Sequence, residues 1–124
     1  MGNEYGEEFV LDLHDCNSDK FNRKDLRRFF KELCEIIDMV RGPLYFWDYK
    51  GHEELKDVDP DHVVGTSAIQ FIQTSNITVH CLDRLGKVFI NVFSCKGFSG
   101  DNVVEFCSKF FDGEVANHQY FLRY

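Results

Sequence analysis

The stretch "FIQTSNITVH", Phe71–His80, decides how the chain is read. "SAIQFI" before it and "ITV" inside it are rich in β-branched and aromatic residues, the composition of strands, whereas the polar "QTSN" interrupts them. The interruption reads as a turn between two strands or as a chemically used edge. Working outward, "VVGTSAIQFI", "NITVHCL" and "KVFINVFSC" are three successive strands, with "DRLG" as the turn between the last two. Alternation in the third puts Val88, Ile90 and Val92 on one side and Phe89 and Phe93 on the other, so both sheet faces carry apolar groups.

Upstream, "EEFVLDLHDC" alternates as a strand with Phe9, Leu11 and Leu13 on one face. From Asn22 to Val40, Leu26, Phe29, Phe30, Leu33, Ile36, Ile37 and Val40 recur at helical spacing, and "RGP" ends the helix. "LYFWDY" is a strand, and the polar "KGHEELKDVDPDH" after it is where a long mobile loop would sit. Downstream, "GDNVVEFCSKFF" predicts a helix capped by Asp101 that buries Val104, Cys107 and Phe111, and "GEVANHQYFLRY" a closing strand. The order β-α-β-β-β-β-α-β predicts an α+β fold: a two-layer sandwich, mostly antiparallel, with two helices on one face and a single domain over 1–124. The other face needs a cover, which points to a homodimer formed through the sheet or to another partner on that face.

A chain of 124 residues, 44% apolar, is the size of one domain with one core. Its net charge of -7 argues against nucleic acid or an anionic membrane as partner, since both call for a basic surface. No signal peptide, membrane-length apolar run or myristoylation pattern is present, which makes a cytoplasmic location the expectation. The 5 cysteines, an odd number without a C-x-x-C pair, read as free thiols in a reducing compartment, and the scattered histidines offer no metal site. P-loop, G-x-G-x-x-G, G-x-S-x-G and H-E-x-x-H motifs do not occur.

Candidate reactive residues are Ser75, His80, Cys95 and Ser67. Each has a plainer reading: Ser75 as a turn serine, His80 as a core histidine, Cys95 as a small buried hydrophobe, Ser67 as an edge residue. Their joint spacing, from Ser67 to Ser75, to His80, to Cys95, resembles the prokaryotic S-adenosylmethionine decarboxylase family. The segments that carry the resemblance are "GTS", "TSNITVH" and "INVFSCKG", supported by "FVLDLHDCN" in the first strand.

The resemblance implies a self-processing proenzyme. The hydroxyl of Ser75 would attack the carbonyl of Thr74, the ester would undergo β-elimination, and the new chain would begin with a pyruvoyl group as cofactor. Ser67 would assist on the oxyanion side and His80 would take the serine α-proton. The pyruvoyl carbonyl would form a Schiff base with the substrate amine and act as electron sink, and Cys95 would return a proton to the product carbon. Tyr49 falls where the family places a ring-stacking aromatic, with Phe46 and Trp47 beside it. The expected substrate is S-adenosylmethionine, for polyamine (spermidine) synthesis.

Three departures bear on that expectation. Thr74 replaces the family's glutamate before the processing serine, Leu82 replaces an aromatic that can stack on adenine, and Arg84 stands where an acidic residue can bind ribose hydroxyls. A shifted turn would let Asp83 supply the ribose contact instead. Two alternatives follow: the same pyruvoyl chemistry on arginine or ornithine, with Asp48, Asp83 or Glu53 meeting the cationic side chain, or a non-processing relative that binds a partner or small ligand.

Overall fold

A computed structural model describes residues 2–124. The elements follow in the order β1 (Gly6–His14), α1 (Arg23–Ile36), β2 (Arg41–Trp47), β3 (Gly65–Ile72), β4 (Ser75–Leu82), β5 (Lys87–Ser94), α2 (Gly100–Phe110) and β6 (Glu114–Arg123). The strands form one six-stranded sheet in the order β2-β3-β4-β5-β1-β6, every pairing antiparallel. This is the α+β sandwich expected from the element order.

Period-two alternation builds the core. Phe9, Leu11 and Leu13 of β1, Ile77 and Val79 of β4, and Val88, Ile90 and Val92 of β5 all point to the helix layer and are buried. Helix α1 begins at Asn22, whose side chain accepts a hydrogen bond from the Asp25 N–H at 2.8 Å and returns one to the Asp25 carboxylate at 2.7 Å. Phe29 then packs among the rings of Phe30, Phe106, Phe110 and Phe111 with centroids 5.0–5.6 Å away.

Four local expectations are corrected. Helix α1 ends at Ile36, not Val40: Asp38 takes a left-handed φ of 57°, which turns the chain out of the helix and leaves Ile36 and Val40 exposed. "RGP" does not stop the helix but opens edge strand β2, where the register shifts between Arg41 and Leu44 and Pro43 needs no ladder partner. Helix α2 is capped by Ser99, whose Oγ accepts from the Asn102 N–H at 3.1 Å, and Asp101 lies in the first turn. Val103, rather than Val104, takes the fully buried position beside Cys107 and Phe111.

The polar stretch after β2 contains a 3-10 turn at Glu53–Asp57 and is tied down. Tyr49 donates to Asp59 at 2.6 Å, Lys56 pairs with Asp83 at 3.3 Å, and Arg84 reaches both Asp61 at 3.1 Å and the Lys56 carbonyl at 2.9 Å. On the sheet face away from the helices, Trp47, Ser67, His80 and Phe89 form one cross-strand row. Tyr45, Trp47, Ile69 and Phe71 are exposed there, Trp47 at 84%.

Candidate active site

The β3–β4 hairpin carries reactive groups at both of its ends. At the turn, Ile72 pairs with Ser75, so the loop is only Gln73–Thr74. Such short loops need residues with positive φ, usually Gly or Asn, yet here a β-branched threonine adopts φ 52°. That conformation costs roughly 1–2 kcal/mol for an L-residue and is located at the peptide preceding Ser75.

Strand order then decides what meets this turn. Because β5 lies beside β4, Cys95, the residue after β5, arrives next to Ser75. The Cys95 N–H donates to Ser75 Oγ at 2.9 Å, and the Thr74 hydroxyl lies 3.3 Å from Cys95 Sγ. Ser75 is buried, while Cys95 is half-buried. Hydrogen bonds from Thr74 first and Ser75 second hold the Cys95 thiol below its ordinary range. The other cysteines go the opposite way: burial pushes Cys16 and Cys34 up to about 11, and Cys81 and Cys107 higher still.

At the far end of the hairpin Ser67 and His80 face each other across the strands, Ser67 Oγ 2.7 Å from His80 Nδ1. Beside them opens a cleft of about 350 Å³ whose lining includes Trp47, Asp48, Tyr49, Asp59, Gly65 and Ser67. Asp48 is held below the usual carboxylate range by the hydrogen bonds of Arg23, at 2.6 and 2.8 Å, and by the Lys50 N–H. Tyr49 is held above the usual phenol range because its hydroxyl donates to Asp59. A Cβ on Gly65 would lie 1.9 Å from the Cys81 carbonyl oxygen, so only glycine lets the two strands close at the floor of the cleft.

The expected site residues thus fall into two groups. Thr74, Ser75 and Cys95 lie together, as do Ser67 and His80, but one chain does not join the groups. Ser75 and His80 are five residues apart on β4, about 17 Å at roughly 3.4 Å per residue, and an odd spacing sends them to opposite faces. Of the residues expected on the substrate side, Trp47 and Tyr49 line the cleft. Phe46 does not: alternation turns it to the helix layer, beneath the guanidinium groups of Arg23 and Arg27 at 5.4 and 5.0 Å. Asp83 is half-buried against Lys56, with its Oδ1 enclosed and without a hydrogen-bond partner. Glu53 accepts from the Gly51 N–H at 3.2 Å. Sequence reasoning missed Asp59 and the Thr74–Cys95 contact. The acidic run "DVDPD" was a signal for the first; nothing local signals the second.

Fold and site together define a two-layer α+β sandwich with reactive groups at both ends of one hairpin and an open second face. Residues 7–124 match the model of the family described as S-adenosylmethionine decarboxylase, and the chain belongs to that family. It is a family of carboxy-lyases, generally pyruvoyl-dependent. The family read from the sequence is therefore the one found. Its fold is also that of the adenosylmethionine decarboxylase from Aquifex aeolicus VF5: the crystal structure gives a TM-score of 0.75 at 14% identity, covering 98% of this chain and 92% of that one. None of the curated proteins matches the sequence. Among the described residues no helix is long and apolar enough to cross a membrane, and no group of three or more His, Cys, Asp or Glu could hold a metal ion.

Proposed function

We propose that this chain is a self-cleaving, pyruvoyl-dependent decarboxylase that cuts itself between Thr74 and Ser75 and acts on S-adenosylmethionine in the cytoplasm, supplying polyamine synthesis. The observation that carries the reading is the turn: a strained threonine immediately before a buried serine whose Oγ is held by the Cys95 N–H. Ser75 Oγ adds to the Thr74 carbonyl, the peptide C–N bond breaks, and an ester with a free Ser75 amine results. Loss of the Ser75 α-proton to a base breaks the Cβ–O bond, leaving Thr74 as a C-terminal carboxylate. Water then replaces the amine nitrogen, which departs as ammonia, and residue 75 ends as a pyruvoyl group. The residues at the turn fit such a group, which supplies an electron sink for the carbon that loses carbon dioxide. Cys95, held at the same turn, is the proton donor to that carbon.

His80, assisted by Ser67, is the base, and it acts on the turn of a second copy. Two sheets stacked open face to open face, with strands antiparallel, bring the Ser67–His80 end of one chain over the Thr74–Ser75 end of the other. The exposed Tyr45, Trp47 and Phe71 give that face an apolar surface to bury. Trp47 and Tyr49 flank the cleft that takes the adenine ring, and Asp48 and Asp59 favour a substrate with positive charge.

Intact mass under denaturing conditions tests the reading. Two fragments meeting at Thr74 and Ser75, the second blocked at its N-terminus, are expected; a chain that stays whole on long incubation overturns it and leaves a non-processing binding relative. A second reading, decarboxylation of arginine or ornithine, is favoured by the engagement of Arg84 with Asp61 and of Asp83 with Lys56. Neither is free to meet ribose hydroxyls, whereas Asp59, whose Oδ2 accepts from Tyr49, keeps its other oxygen for a cationic side chain. Carbon dioxide release from S-adenosylmethionine, arginine and ornithine in parallel decides between the two.

A further inference from the structure

Thr74 Oγ1 lies 3.3 Å from Cys95 Sγ and 2.8 Å from the carbonyl oxygen of Gln73. A hydroxyl has one proton and donates to one of these acceptors at a time. While the thiol is neutral the carbonyl is the better acceptor, and the Cys95 S–H itself faces the Gln73 oxygen at 3.7 Å. Once the thiol ionises, the sulfur carries the charge, and a charge-assisted bond from the threonine hydroxyl becomes the stronger arrangement. Few other groups compete. Ser75, whose Oγ accepts the Cys95 N–H, and Tyr5, before β1, are the lesser contributors, and neighbouring Lys96 is paired with Asp38 at 3.2 Å.

Backbone geometry fixes this hydroxyl in place. A two-residue loop closed by the Ile72–Ser75 pair leaves Thr74 little freedom, and its φ of 52° aims the side chain across to the end of β5. We propose that Thr74 is a positioning residue for Cys95: its hydroxyl holds the sulfur at the hairpin turn and stabilises the ionised thiol. The residue that ends the first fragment on cleavage therefore also tunes the thiol that serves the second. This rests on the reading above only for the use made of the thiol, because the contact itself belongs to the uncleaved chain. The direction of the Cys95 shift, downward with Thr74 as its largest cause, agrees.

The test uses the full chain carrying Ser75→Ala, which cannot cleave itself and keeps the Thr74 contact. Iodoacetamide alkylation is followed as a function of pH, with the label read on the Cys95 peptide by mass. Adding Thr74→Val, which keeps the branched shape and removes the donor, is expected to slow labelling at pH 7 about tenfold and to move the profile to higher pH, the weight of one hydrogen bond to a charged acceptor. Thr74→Ser is expected to restore the parent profile. A Thr74→Val profile that superimposes on the parent overturns the assignment, and so does a Thr74→Ser chain as slow as the valine variant, since shape and not the hydroxyl would then be at work. Should the valine chain fail to fold by circular dichroism, Thr74→Ala carries the same comparison. Failure of the decarboxylase reading shows separately, as an uncut wild-type mass.

Discussion

Thr74 concentrates two properties in one residue: a left-handed backbone that its branched side chain resists, and a hydroxyl beside the half-buried thiol. Glycine at this position relieves the first. In the Ser75→Ala background, Thr74→Gly is expected to raise the melting temperature, with a gain of up to about 1 kcal/mol after the added freedom of the unfolded chain is counted. In the chain with Ser75 it is expected to slow cleavage, as followed by intact mass over time. A melting temperature that does not rise and unchanged cleavage together would remove strain from the account of the turn.

Among the elements, edge strand β2 depends on a residue it does not contain. Gln70 of β3 is fully buried, and its Nε2 donates to the carbonyls of Gly42, Pro43 and Phe71 at 2.9, 3.3 and 2.8 Å. It thereby serves the irregular start of β2, where the register shifts. Its Oε1 has no partner, so the clamp is retained despite a buried orphan acceptor. Gln70→Ala is expected to destabilise the chain by about 2–4 kcal/mol, through a cavity and the loss of two N–H donors shared among three carbonyls, measured by denaturant unfolding. The loop before β3 behaves differently. Arg84 anchors it through exposed groups, so Arg84→Ala should change stability by less than about 1 kcal/mol. Steady-state kinetics should instead show a raised KM with cleavage intact, because the cleft wall loosens while the turn is untouched.

At the scale of the whole molecule, the separation of Ser75 from His80 is what the proposed face-to-face pair of chains would bridge. Mixing a Ser75→Ala chain with a His80→Ala chain is expected to cleave the His80→Ala chain, whose turn meets the intact histidine of its partner. If mass spectrometry finds neither chain cut in the mixture while the wild type cuts, the face-to-face arrangement is wrong. The core adds a pH dependence of its own. Cys16 and Cys34 ionise in the unfolded chain near the ordinary value of 9.0 but in the folded chain only near 11, so their contribution to stability is complete below 9.0 and is lost as pH rises toward 11. Melting temperature should therefore fall across that alkaline window, and Cys34→Ala should flatten part of the fall.

How much of this was legible in the sequence depends on the range of the interaction. Alternation and helical spacing marked every strand and both helices, because each pattern is a local record of which side meets the core. The family was legible as well, through the spacing of Ser67, Ser75, His80 and Cys95. Element ends were less so: Asn22, Asp38 and Ser99 act through φ angles and single hydrogen bonds that composition does not encode. Phe46 and Trp47, one residue apart, read alike until the sheet assigned one to the helix layer and the other to the cleft. By itself the sequence determined the elements, the α+β class and the family. Only the tertiary structure decided that Cys95 meets Thr74 while His80 does not meet Ser75. Strand order and the two-residue period of the sheet are long-range facts, and they set which side chains share a face and an end.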